Sequence, residues 1–381
     1  MTSLQRLLFL LLTLGFGSVF AAAPPQFTPS VPDIAASGYL LIDYESGYEL
    51  AGAKADERME PASLTKLMTA YAVFHEIAAG RIALEDKAFV SEKAWRTPGS
   101  RMFIEVDNKV PVEQLLKGMI IQSGNDASVA LAEHVAGSEE AFATLMNQYA
   151  RQLGLNGTHF VNCTGLPHEE HYTTPRDMAR LTAALIREFP QYYAWYAEKE
   201  YTYAGIKQHN RNKLLWQDEH VDGVKTGHTE SAGYCLVASA KQEQMRLISV
   251  VMGTKSEKAR AAESQKLLDY GFRFFETHLL YKAGEPLKTT RIWKGEAEDL
   301  PLGLTKNLYI TVPRGRYNQL NASLTVEKEI TAPASKGQAF GNVNVSLGEK
   351  TLATQPLVSL QEVAEGSLWQ RMSDSVMLLF E

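Results

Sequence analysis

The pattern of apolar residues changes near Tyr281, and this change constrains the fold more than any other feature of the 381-residue chain. Ahead of it, long stretches place apolar side chains at steps of three and four, the period of a helix lying on a core. Strand-like runs alternate with them. Beyond it, short Val, Ile and Leu runs are broken by Pro, Gly, Asn and Lys turns to about residue 361, without helical period. The expected fold class is α/β (α+β): a mixed first domain over 24–281, then a small all-β domain over 282–365. Two domains also suit the length, at roughly 100–200 residues each.

Within the first domain, Tyr39–Tyr44 and Tyr48–Leu50 flank Glu45-Ser46-Gly47 as a hairpin. Leu64, Leu67, Tyr71, Phe74 and Ile77 mark a helix preceded by Pro61 and stopped by Gly80. Further helices are expected over 112–121, 127–136 and 139–153, the last two closed by Gly137 and Gly154. Thr174-Pro175-Arg176-Asp177 combines an N-cap, a first-turn proline and an acid, so a helix should run to about Arg187. Gly233–Ser239 and Leu247–Met252 read as an antiparallel hairpin joined by Lys241–Gln244, and a long helix is expected over 257–277.

The two ends carry different signals. Arg6 precedes an apolar run, Leu7 to Phe20, followed by Ala21-Ala22-Ala23. One positive charge, a short apolar core and a small-residue exit predict a secretory signal peptide over 1–23, and so an exported protein. At the other end, Leu368, Met372, Val376 and Leu379, with Trp369 and Phe380, form one stripe on an amphipathic helix over 366–381. Two readings follow: the stripe packs on the chain's own second domain, or it lies in a membrane surface. Acidic residues outnumber Arg371 by three across 362–381, so anionic lipid would repel this segment and only apolar burial could hold it.

Composition excludes several classes. A net charge of −6 with a pI near 5.9 lacks the concentrated basic face of a nucleic-acid binder. Cys163 and Cys235 are too few to build a disulfide framework or a four-ligand zinc site. Both lie in apolar stretches and read as buried thiols, although an oxidising compartment would also permit a disulfide. His168-Glu169-Glu170-His171 places its histidines at i and i+3 in a Pro-flanked loop, whereas a helical zinc pair needs i and i+4. No metal or cofactor is expected.

Three short motifs carry the chemistry. In Ser63-Leu64-Thr65-Lys66 the serine and lysine sit at i and i+3 on one helix face, so the amine can reach the hydroxyl. Serine is a poor nucleophile until a base takes its proton, and a lysine serves when its pKa is lowered. Backbone N–H groups at the helix start would face a developing oxyanion. Alone, the pattern is expected about once by chance in a chain this long. Ser123-Gly124-Asn125, between two helices, adds a hydroxyl to relay a proton and an amide to hold a substrate carbonyl. Lys225-Thr226-Gly227 adds a cation and a hydroxyl on strand-edge backbone, with a glycine for close approach. Each triplet occurs once, in this order, 60 and 102 residues apart. That conjunction is the signature of serine acyl-transfer enzymes that handle penicillins.

With these triplets, the contexts Pro61–Lys66, Gln122–Asp126, Asn210-Arg211-Asn212, Val224–Thr229 and Gly271–Glu276 make residues 34 to about 365 resemble the D-alanyl-D-alanine carboxypeptidases among low-molecular-mass penicillin-binding proteins, types 5 and 6. The resemblance implies a transpeptidase-like domain with an antiparallel sheet flanked by helices, a β-rich domain that lifts the site off the membrane, and a C-terminal amphipathic anchor. It implies Ser63 as nucleophile, Lys66 as general base, Ser123 as proton relay to the departing amine and Asn125 on the substrate amide. Lys225 would support the local field, Thr226 and Arg211 would bind the terminal carboxylate, and Gly227 would let substrate approach. The N–H groups of Ser63 and His228 would form the oxyanion hole. Peptidoglycan stem peptides and β-lactams are the implied partners. Two departures stand out: the stretch Ile82–Met102 is shorter than its counterpart in type 5, and the tail is acidic.

A class A β-lactamase shares the triplets but adds a Glu-x-x-Leu-Asn loop, and none lies between Asn125 and Lys225. A non-catalytic wall-binding scaffold would show a broken triplet, and all three are intact.

Overall fold

The computed structural model describes residues 29–380, so the expected signal peptide lies outside the described residues. Five antiparallel strands form the central sheet: β1 (Gly38–Asp43), β2 (Glu49–Ala53), β3 (Val221–Thr229), β4 (Gly233–Gln242) and β5 (Met245–Thr254). Their spatial order is β2-β1-β5-β4-β3, which leaves β3 at an edge. Both faces are covered, and the inner strands therefore read as nearly continuous apolar runs. Cys235 and Val237 of β4, with Ile248, Val250 and Met252 of β5, point into the larger helical core. The alternate residues Leu236, Ala238, Leu247 and Val251 point to the other face.

The larger core is built from α1 (Lys66–Ala78), α2 (Val112–Gln122), α3 (Asn125–Ala136), α4 (Glu139–Gln152) and α5 (Pro175–Glu188). Expected stops and starts do their work: Gly137 and Gly154 take positive φ, and the Thr174 hydroxyl accepts from the Asp177 N–H. The opposite face is covered by α6 (Glu257–Phe274), capped by Ser256, whose hydroxyl accepts from the Ala259 N–H.

Two boundaries differ from expectation. Helix α6 stops at Phe274, three residues early, because Phe275 opens β6 (Phe275–Tyr281) and buries its ring in the core beneath α6. The β4–β5 strands extend through Gln242 and resume at Met245, so their turn is only Glu243-Gln244, with Glu243 at φ +52°. Lys241 pairs with Arg246, and Gln242 with Met245.

In the second domain β6 pairs with β9 (Leu308–Pro313). A five-stranded sheet combines β7 (Pro286–Arg291), β8 (Asp299–Gly303), β10 (Leu320–Val326), β11 (Ala339–Leu347) and β12 (Lys350–Ser359) in the order β7-β8-β12-β11-β10. Asp43, fully buried at the end of β1, accepts from the Thr277 hydroxyl (2.8 Å), and Ser46 meets Thr311 (2.6 Å), tying the two domains.

Helix α7 (Leu368–Met377) follows, with a Ser367–Gln370 capping box. Its polar side faces the protein: Asp374 accepts from the Lys294 N–H and pairs with Arg291 at 3.5 Å. The apolar stripe points away, with Trp369 81 % and Phe380 87 % exposed, so it does not pack on the second domain. Among the described residues no helix is long and apolar enough to cross a membrane.

Candidate active site

Ser63 lies in a tight turn, Ala62–Thr65, that runs directly into α1. The turn is forced by Ala62 at φ +47°, a left-handed conformation that a Cβ makes costly. Helix α1 proper therefore begins at Lys66, one turn after Pro61, and the serine sits just ahead of it. Lys66 is 1 % exposed; its Nζ donates to Ser63 Oγ (2.9 Å) and to the Thr164 carbonyl (2.6 Å). Burial drives its pKa down from 10.5 to about 7, and the Arg211 charge pushes the same way.

A second lysine–serine pair faces the first. Ser123 ends α2 at φ +70°, and its hydroxyl accepts from Lys225 Nζ at 2.9 Å. Lys225, buried on edge strand β3, also donates to the Thr226 carbonyl. Burial lowers its pKa well below the usual lysine range, and Lys66, Arg211 and Arg260 add repulsion. Two amines without a carboxylate hydrogen-bonded to either cannot both stay protonated in a dry interior.

Asn125, at the start of α3, is held by its side-chain N–H donated to the Pro98 carbonyl (2.6 Å) and its backbone N–H donated to Ser100 (2.7 Å). Its Oδ1 is buried without a partner, an acceptor left open. Next to it Asp126 accepts from the backbone N–H groups of Met102, Phe103, Ile104 and Ala127, which pins the loop over the site.

Ser63, Ser123, Asn125, Arg211, Thr226, Gly227 and His228 line one cleft of about 400 Å³, with Lys66 and Lys225 buried behind it. All nine residues singled out in the sequence thus converge. Gly227 lies close to the nucleophile's turn: a Cβ there would be crowded, 3.0 Å from the Pro61 carbonyl and 3.3 Å from the Ser63 N. Arg211 is exposed and reaches back with Nε to the Gln122 carbonyl (3.2 Å). The His228 ring is exposed and stacks on Tyr234 with centroids 3.9 Å apart.

Sequence reasoning missed three parts of this cleft. Arg260 of α6, 4 % exposed, donates to the Gly227 carbonyl (3.1 Å) and lines the cleft. The Thr164 carbonyl that receives Lys66 comes from a loop 98 residues away. Tyr234 carries both His228 and, at 5.6 Å, the Arg260 guanidinium. The one available signal was an arginine on a helix face otherwise turned to the core. His168 and His171 do not face each other: His168 is exposed, whereas His171 is buried with both ring nitrogens engaged. Cys163 and Cys235 are buried free thiols.

Residues 25–256 match the D-alanyl-D-alanine carboxypeptidase family, and residues 275–365 match the C-terminal domain of penicillin-binding protein 5. The chain belongs to the D-alanyl-D-alanine carboxypeptidase family. Within that family, the D-alanyl-D-alanine carboxypeptidase DacA of Escherichia coli (strain K12) is 47% identical over 360 residues, covering 92% of this chain and 89% of the relative. DacC of the same organism is 45% identical over 381 residues, covering 97% and 95%. The crystal structure of penicillin binding protein 5 from Haemophilus influenzae superposes with a TM-score of 0.85 at 42% identity, over 88% of this chain and all of that one. The shared two-domain structure does not favour the β-lactamase or scaffold readings.

Proposed function

We propose that this family member is a serine D-Ala-D-Ala carboxypeptidase that trims the terminal D-alanine from peptidoglycan pentapeptide stems, with Ser63 as the nucleophile that penicillins also acylate. The observation that carries the reading is the 2.9 Å contact between Ser63 Oγ and a fully buried lysine whose pKa falls to about 7. At neutral pH such an amine is free to take a proton.

The neutral Lys66 amine takes the Ser63 hydroxyl proton as Oγ bonds the carbonyl carbon of the penultimate D-alanine. The Ser63 and His228 N–H groups receive the oxyanion. Collapse breaks the peptide C–N bond, Ser123 hands its proton to the departing amine, and the proton that Lys66 took from Ser63 passes to Ser123, which leaves Lys66 neutral for the second step. Asn125 holds the substrate amide, its open Oδ1 accepting an N–H. Thr226 and Arg211 bind the carboxylate that marks the substrate's end, and Lys225 supports the site from behind through its hydrogen bonds to Ser123 and the Thr226 carbonyl. Water, deprotonated by Lys66, then attacks the ester carbonyl, and Ser63 Oγ recovers the proton.

Intact-mass spectrometry after penicillin, with free D-alanine assayed from a pentapeptide ending in D-Ala-D-Ala, tests this. One adduct on Ser63 and D-alanine release are expected, and neither in Ser63→Ala. Rapid adduct loss with penicillin turnover and no D-alanine would replace the reading with a β-lactamase.

The reading extends to the location. Export follows from the sequence of residues 1–23, and the outward apolar stripe of α7 supports peripheral contact with the outer face of the inner membrane from the periplasm. Co-sedimentation with zwitterionic vesicles should retain the full chain and release a chain ending at Glu365. Equal binding by both would refute the contact.

A further inference from the structure

The His168-Glu169-Glu170-His171 loop, set aside as a metal motif, contains one histidine whose surroundings point at the nucleophile. His171 is 2 % exposed. Its Nδ1 accepts from the Val161 N–H (3.1 Å), so that nitrogen carries no proton and Nε2 must. Nε2–H therefore donates to Thr65 Oγ1 (2.8 Å), and the single Thr65 hydroxyl proton goes to the Ala62 carbonyl (2.8 Å). Every donor and acceptor along this chain has one consistent assignment.

The chain ends on the peptide that matters. Ala62 is the left-handed residue that turns Ser63 toward Lys66, and its carbonyl orientation sets that turn. From the other side, Val161 stands at the start of the segment whose Thr164 carbonyl receives Lys66 Nζ. His171 thus couples the turn carrying the nucleophile to the segment aligning the base. Gly165 closes the same contact: a Cβ at its φ of +86° would lie 1.8 Å from the Ala62 carbonyl oxygen. The motif's interior threonine, which spacing leaves as filler, is the relay between them.

We propose that His171, acting through Thr65, is a positioning residue that holds Ser63 and Lys66 in register for acylation. The inference rests on Ser63 being the nucleophile. His171 touches no substrate; it fixes the geometry from which Oγ attacks, where a misplacement of about 1 Å costs on the order of 100-fold. Burial drives its pKa down to about 4, with His159, His168 and Lys66 adding repulsion, so the neutral ring persists across the working range.

Stopped-flow acylation of the full chain by a fluorescent penicillin separates the pre-acylation dissociation constant from the acylation rate constant. His171→Leu should lower the rate constant roughly 10–100-fold with the dissociation constant little changed. Thr65→Val should do the same, and the double variant should be no slower than the worse single one. His171→Gln offers one N–H and one carbonyl to the same partners and should restore most of the rate. If His171→Leu unfolds, the Gln variant and Thr65→Val still decide the matter. An unlabelled wild-type serine would overturn the nucleophile reading itself. A labelled wild type with Thr65→Val equally fast, with additive losses, or with His171→Gln as slow as Leu would overturn the positioning role alone.

Discussion

Replacing Lys66 by methionine should make the protein more stable and nearly inactive together. Keeping a lysine at about 7 rather than its ordinary 10.5 costs the folded state about 4 kcal/mol at pH 7, from about 1.4 kcal/mol per pH unit less the half-protonation of the folded amine. Methionine matches much of the stem and carries no amine, but leaves the Thr164 carbonyl and Ser63 Oγ without their donor. Those losses offset about 1–1.5 kcal/mol each. The balance is a gain of about 2 kcal/mol, or about 4–8 °C in the melting of the catalytic domain. The gain should depend on pH with a definite sign. Between about 7 and 10.5 the unfolded lysine still holds its proton and the folded one has lost it, so wild-type stability rises with pH through this window. Lys66→Met lacks that rise, and its advantage should vanish near about pH 9. Calorimetry at pH 7, 8 and 9, beside penicillin acylation reduced about 10²–10⁴-fold, checks both halves. A variant less stable at pH 7, or a gap that does not narrow with pH, would refute the argument that burial depresses this amine.

The remaining predictions concern the same cleft. Wild-type acylation should rise about tenfold per pH unit below 7 and level off above it, read by stopped flow, because only the deprotonated Lys66 serves as base. Gly165→Ala pushes a methyl against the Ala62 carbonyl at positive φ. It should lower stability by about 2–4 kcal/mol in chemical denaturation and slow acylation at least about tenfold. Asp126→Asn replaces two acceptor oxygens with one and turns an N–H₂ on a ring of backbone donors. A loss of about 2–3 kcal/mol and faster proteolysis near residues 98–107 are expected, measured by urea titration and limited digestion.

Much of the first domain was legible because its signals are local. Helices α2 to α5 came from period, and their ends from Gly137, Gly154 and the Thr174 cap. The β4–β5 hairpin came from two apolar runs, but its length did not. Lys241 and Gln242 belong to the strand only because Arg246 and Met245 pair with them. Phe275 fitted the helical period of Leu267, Leu268 and Phe274, and was claimed instead by pairing with Pro313, nearly forty residues on. The antiparallel strand pairs Lys87–Phe89 with Lys109–Pro111 and Glu200–Tyr203 with Ile206–His209 escaped notice. Their three- and four-residue strands are too short and too charged to show alternation. At the site, the i to i+3 step of Ser63 and Lys66 was readable. The groups that hold those two, Thr164, His171 and Arg260, were not, since their relation to the motif exists only after folding.

The two lysine–serine pairs are alike in distance and unlike in position, and the difference divides the work. Lys66 contacts the serine at the mouth of α1 and titrates near neutrality, so it can accept and return a proton within one turnover. Lys225 contacts Ser123 and the Thr226 carbonyl on the strand along which a substrate would lie. It is better placed to polarise than to shuttle. The hydrolytic half-reaction needs a base for water, and the carboxylate lining the cleft is Glu257. That group is bound to Lys213 at 3.1 Å and faces Arg260 at 3.7 Å, which holds it below the usual carboxylate range and makes it a poor base. That leaves Lys66, hydrogen-bonded to Ser63 Oγ, as the base we propose for the water. We therefore assign the base of both half-reactions to one buried lysine.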